Sequence, residues 1–134
     1  MKQRILFAED EKWAVNPYFK ELEKKGFDCV LAKSGDEAVK KLETEKFDII
    51  CLDIMFQTGQ AFEKTTKPTE AGASLLDLIR NGRIKNCASD IKIIVLTAVI
   101  DDKIENKIRK LGISAYLKKP IEFSEVIKTF CSLR

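Results

Sequence analysis

Histidine is missing altogether from this chain of 134 residues. That absence removes serine–histidine and cysteine–histidine catalysis, and with them any zinc site built on imidazole. Neither GxxxxGK[ST] nor GxGxxG occurs, so no glycine-rich loop is available to cradle the phosphates of a nucleotide. The four cysteines (Cys29, Cys51, Cys87 and Cys131) are scattered without a CxxC pair, and Cys29 and Cys51 lie inside apolar runs. They read as small buried thiols of a protein in a reducing cytosol. No stretch approaches the ~20 apolar residues of a membrane-spanning helix. The N-terminal apolar run stops at Glu9, Asp10 and Glu11, unlike a secretion signal. The expectation is a cytoplasmic protein without membrane contact. A net charge of +3, with lysines and glutamates interspersed, gives no case for nucleic-acid binding either.

What is present is a regular alternation. The stretches RILFA (4–8), FDCVLA (27–32), FDIICL (47–52), IKIIVLT (91–97) and ISAYL (113–117) read as strands. A helix is expected near 15–25, with Asn16 as cap, Pro17 in the first turn and Gly26 at the end. Ser34 caps a second helix, with Glu37 three residues on completing a capping box. Further helices are expected over AGASLLDLIRN (71–81), closed by Asn81-Gly82, over DDKIENKIRKLG (101–112), and over 121–133. In the fourth of these, Ile104, Ile108 and Leu111 form the inward stripe. Five apolar strands each followed by a helix predict a parallel sheet covered on both faces, a doubly wound α/β fold. No repeat, linker or change of composition divides the chain, so residues 1–134 form one domain.

Ligands of such folds bind beyond the carboxyl ends of the strands. Glu9, Asp10 and Glu11 follow the first strand, Asp53 the third, Thr97 ends the fourth, and Lys118-Lys119-Pro120 end the fifth. Gathered carboxylates repel one another, and a hard divalent cation such as Mg²⁺, with Mn²⁺ as the alternative, relieves the repulsion. A phosphoryl group on Asp53 would then face the metal on one side, and the Lys119 ammonium and Thr97 hydroxyl on the other. Phosphoryl transfer needs that positioning and neutralisation. No residue supplies a base or a bound nucleotide, so the donor must come from elsewhere.

From residue 3 to residue 131 the chain resembles the receiver domain of two-component response regulators. The motifs are ILFAEDE with its paired acids, DIICLDIM with the aspartate, IIVLTA with the hydroxyl, and GISAYLKKP with an aromatic and the lysine. Each is weak alone; four in the right order at the right strand ends are specific. The resemblance implies a flavodoxin-like sandwich with strand order 2-1-3-4-5. It implies Asp53 as phosphoacceptor, with Glu9, Asp10, Asp53 and the Met55 backbone carbonyl around Mg²⁺. Thr97 and Lys119 would contact the phosphoryl oxygens, Thr97 and Tyr116 would form the switch, and the Lys119–Pro120 bond would be cis. The implied partners are a sensor histidine kinase or phosphotransfer protein as donor, and a downstream protein target or an effector domain.

Some positions depart from the family pattern. Glu9 stands where aspartate is commoner, and Gln57 where proline is frequent. The glycine that opens the third helix comes only at Gly72, so the preceding loop, about 54–70, carries an insertion of roughly ten residues. Such a loop either selects a partner or shields the phosphoryl group, or is a tolerated surface insertion. Met55 and Val99 are apolar at positions that influence water, which predicts slow self-dephosphorylation. Two rivals stand beside the phosphoacceptor. One is a phosphorylation-independent interaction module. The other is a Mg²⁺-dependent aspartyl-phosphate hydrolase, disfavoured because Met55 occupies the position of its second aspartate. Lys118 reads as a solvated neighbour of Lys119, and Trp13 as a surface residue near the acids. The chain stops after the last helix, as either a stand-alone receiver or one cut from a longer protein.

Overall fold

A computed structural model describes residues 2–53, 71–98 and 101–134. The elements alternate as expected: β1 (Gln3–Ala8), α1 (Lys12–Lys24), β2 (Phe27–Ala32), α2 (Gly35–Thr44), β3 (Ile49–Leu52), α3 (Ala71–Arg80), β4 (Lys92–Thr97), α4 (Asp102–Leu111), β5 (Ala115–Lys118) and α5 (Phe123–Ser132). The strands form one parallel sheet in the order β2-β1-β3-β4-β5. The 54–70 insertion, with Gln57 and the Met55 carbonyl, lies outside the described residues, as does Val99.

Side chains of a strand alternate between the two faces of the sheet, and here both faces are apolar. Ile5, Phe7, Ile49, Cys51, Ile94 and Leu96 point to a cluster closed by Val15 and Leu22 of α1 and by Val126, Ile127 and Phe130 of α5. Leu6, Ala8, Ile50, Leu52, Ile93 and Val95 point to the other cluster, closed by α2, α3 and α4. This two-sided burial holds the three central strands rigid up to their carboxyl tips.

Helix α1 starts earlier than its sequence suggests. Glu11 rather than Asn16 occupies the N-cap position, and Pro17 sits inside the helix. Buried Val15, half-buried Tyr18 and Phe19, and buried Leu22 form one apolar stripe running past the proline, and their packing outweighs the backbone bond that Pro17 cannot make. The other signals act as expected. Ser34 Oγ accepts from the Glu37 N–H at 3.2 Å, one of the two bonds of a capping box. Asp101 caps α4 by accepting from Lys103 and Ile104. At the end of α3, Gly82 takes φ +66°, while Arg83 N–H reaches Leu78 O and Gly82 N–H reaches Ile79 O, a Schellman closure. Strand β5 runs two residues later at its start than the apolar pattern suggests and includes Lys118, paired in register with Thr97.

Candidate phosphoacceptor site

Glu9, Asp53 and Lys119 each stand one residue beyond a strand, and the ladder extends to hold them. Glu9 N–H donates to Ala32 O at 3.0 Å, Asp53 N–H to Ala8 O at 3.1 Å, and Lys119 N–H to Thr97 O at 2.8 Å. Since Ala8 pairs with Leu52, the Glu9 and Asp53 backbones lie side by side where the strand order turns between β1 and β3. Thr97, fully buried, ends β4 on the other side of β3.

The side chains converge accordingly. Thr97 Oγ1 donates to Asp53 Oδ1 at 3.2 Å. Lys119 Nζ lies 3.9 Å from Asp53 Oδ2 and 3.9 Å from Glu9 Oε2, so one ammonium bridges two carboxylates. The Lys119–Pro120 peptide is cis. Glu9 is only 7% exposed. Burial first, then the neighbouring Asp53 and Asp10 carboxylates, push its acid up to about 9, against a weaker pull downward from Lys119. A small cleft beside α1 is lined by Glu9, Asp53 and Lys119 on its polar side and by Phe7, Val15 and Tyr18 on its apolar side.

This donor set fits a hard divalent cation. Its oxygens are crowded and short of positive charge, which a metal corrects. Asp53 and Asp10 both lie near enough to Glu9 to raise its acid. Among the described residues, no three His, Cys, Asp or Glu side chains converge as a ready cage. A site with few protein ligands suits Mg²⁺, an ion that keeps several of its waters.

Around this centre, Asp10 and Glu11 are exposed, and the Trp13 indole, 73% exposed, donates to the Glu11 carboxylate. Cys51 packs beneath the site; burial drives its thiol far above the usual range and the Cys29 thiol up to about 12, so neither is a thiolate near neutrality. Cys51 is buried as expected, while Cys29 is only half-buried. Tyr116 faces α4 rather than the carboxylates, with its hydroxyl buried. Lys118 is not simply solvated: its Nζ pairs with Glu105 of α4 at 2.9 Å. Sequence reasoning missed that contact. Glu105 and Arg109 are legible as a helical i,i+4 pair, but nothing in the linear spacing points to Lys118 as the third member.

A family model described as the response regulator receiver domain matches residues 5–130. The chain is 32% identical over 127 residues to the alkaline phosphatase synthesis transcriptional regulatory protein PhoP of Bacillus subtilis, covering 94% of this chain and 46% of that protein. It therefore spans less than half the length of this curated relative. Among solved structures, the receiver domain of the Francisella response regulator 1452 is 25% identical with a TM-score of 0.76, covering 98% of this chain and 96% of that one. The BeF₃-activated N-terminal receiver domain of Klebsiella pneumoniae RstA is also 25% identical, with a TM-score of 0.74, covering 98% of this chain and 99% of that one. No helix among the described residues is long and apolar enough to cross a membrane.

Proposed function

This chain belongs to the response regulator receiver domain family, and we propose that it accepts a phosphoryl group on Asp53 from a phosphohistidine of a sensor kinase or phosphotransfer protein. The observation carrying this reading is the single Lys119 ammonium placed 3.9 Å from both Asp53 and Glu9, with Thr97 Oγ1 on the remaining Asp53 oxygen. With no histidine among its 134 residues, this stretch of chain cannot itself carry the donor phosphohistidine.

In the transfer, an Asp53 carboxylate oxygen attacks phosphorus, the O–P bond forms as the donor's N–P bond breaks, and the leaving imidazole takes up a proton. Glu9, Asp10 and Asp53, with the Met55 carbonyl, would hold Mg²⁺, which when bound supplies charge to neutralise the phosphoryl oxygens. Lys119 exchanges its two carboxylate contacts for a phosphoryl oxygen, acting as a point charge. The Thr97 hydroxyl donates to another. The chain is thus a phosphoacceptor that promotes its own phosphorylation and hydrolysis rather than turning over a substrate. Met55 and Val99 are apolar at the two sequence positions that in the family influence water, so hydrolysis is expected to be slow.

The phosphoryl group then acts on the face made by α4, β5 and α5. Thr97 already reaches Asp53, and the Tyr116 hydroxyl is already buried. Phosphorylation accordingly locks this arrangement by population shift rather than drawing it from a distant one, and the locked face signals to a protein target or effector domain. Beryllofluoride titrated in the presence of Mg²⁺ tests the site. The bound anion is expected to give one saturable fluorine NMR signal with wild type and none with Asp53→Asn. A wild type that binds no beryllofluoride would leave the interaction-module reading in its place.

A further inference from the structure

Glu105 of α4 is gripped by two cations at once. Its Oε1 lies 2.9 Å from Lys118 Nζ and its Oε2 accepts from Arg109 Nε at 2.8 Å, and its side chain is only 17% exposed. The Arg109 guanidinium, oriented by that bond, sits 5.3 Å from the centroid of the Tyr116 ring. The Tyr116 hydroxyl is buried and, among the described residues, has no hydrogen-bond partner. A hydroxyl in that condition carries a desolvation cost and has a standing tendency to turn out to water. Arg109 covers the ring and opposes the turn. Lys118, two residues along β5 and therefore on the same face of the sheet, ties the strand to α4 through Glu105.

The C-terminal end of α4 is tied to α3. Beyond its C-terminus, Arg80 of α3 donates Nε to Gly112 O at 3.0 Å, and Nη1 to Ser89 O and Ile91 O at 2.8 Å each. A movement of α4 away from β5 must break the Glu105–Lys118 bond. Lys118 is also the last residue of β5, opposite Thr97, and the next residue is Lys119. The clasp on α4 and the ammonium beside Asp53 thus leave the backbone at adjacent positions.

We propose that the Glu105 clasp on Lys118 and Arg109 is a latch that keeps Tyr116 buried, and through it sets how tightly the site at Asp53 holds a phosphoryl group. The proposal rests on the reading of Asp53 as phosphoacceptor. Glu105 is a positioning residue here; it touches no reacting atom. Buried Tyr116 and Thr97 engaged on Asp53 belong to one arrangement, so whatever stabilises one half stabilises the other. Linkage makes the effect reciprocal: a phosphoryl group tightens the latch by the factor with which the latch tightens phosphoryl binding.

Two readouts test this on Glu105→Gln, which keeps the shape of the side chain and removes its charge. The first needs no phosphoryl mimic: hydroxyl-radical footprinting resolved by residue, with Tyr18 as internal reference. Oxidation of Tyr116 is expected to rise severalfold in Glu105→Gln while Tyr18 stays unchanged; an unchanged Tyr116 overturns the latch. The second is beryllofluoride affinity in Mg²⁺. It is expected to fall about fivefold in Glu105→Gln and to recover in Glu105→Gln/Tyr116→Phe, where the ring no longer carries an unsatisfied hydroxyl. A merely structural salt bridge would not be rescued by removing an oxygen from another residue. Raised Tyr116 exposure with unaltered affinity overturns the coupling. A wild type that binds no beryllofluoride overturns the phosphoacceptor reading and the coupling with it, while the footprint still decides whether the latch exists.

Discussion

A carboxylate buried against a second carboxylate raises the free energy of the folded state unless a cation stands between them. The Lys119 ammonium lies 3.9 Å from both Glu9 and Asp53. The site still carries an electrostatic cost, which Glu9 meets by holding its proton up to about 9. Asp53→Asn is expected to stabilise the fold in chelator-treated buffer by about 1 kcal/mol, since it removes the carboxylate that helps force Glu9 to hold a proton far above the usual carboxylate range. Wild type is expected to gain about 2.7 kcal/mol when free Mg²⁺ reaches a hundredfold excess over its dissociation constant, and Asp53→Asn much less. Denaturant titrations with and without Mg²⁺ measure both. Identical curves for the two proteins in both buffers would contradict the crowded-acid description. Tyr116 carries the opposite kind of cost, an oxygen without a hydrogen-bond partner among the described residues. Tyr116→Phe is expected to raise stability by about 1 kcal/mol, and a loss of stability would mean that the hydroxyl has a partner after all.

Between residues and fold, the elements differ in how firmly they are tied. β1, β3 and β4 are buried on both faces, whereas every residue of β5 is at least partly exposed and the strand lies at the edge of the sheet. Its hold on α4 draws on charge, which makes it sensitive to pH. Lys118, then Arg109, holds the Glu105 acid below its ordinary value of 4.5. A depressed carboxylate stabilises the folded state fully above the unfolded pKa, and that contribution disappears as pH falls through the folded pKa. Urea denaturation of wild type and Glu105→Gln should therefore give different midpoints near neutrality that converge as pH falls below 4.5 and through the depressed Glu105 pKa. A gap that persists unchanged into acid would show that the substitution acts by something other than charge.

At the scale of the molecule, one sheet with two apolar faces carries everything else. Phe7 lies at the centre of one face, 4.9 Å from the Phe19 ring and 5.6 Å from the Phe130 ring. Phe7→Ala is expected to cost about 3–5 kcal/mol in one cooperative transition; a separate early transition would mean that the two faces unfold independently. The alternation of strands and helices was legible because each strand is a short apolar run ended by turn-forming residues. The site came with it, since Glu9, Asp53, Thr97 and Lys119 sit at or one residue beyond strand tips. The strand order was not readable from the runs themselves and rested on the family resemblance. Linear reasoning failed where packing or register decides: Pro17 inside α1 is tolerated only because Val15 and Leu22 bury on either side of it, and Lys118 meets Glu105 only because β5 runs to position 118. The central claim, Asp53 as phosphoacceptor, is tested most directly by mass spectrometry after incubation with acetyl phosphate and Mg²⁺. The account predicts one phosphoryl group on wild type, mapped to Asp53, absent from Asp53→Asn and prevented by chelator. An unmodified wild type, or a phosphoryl group that persists in Asp53→Asn, would contradict it.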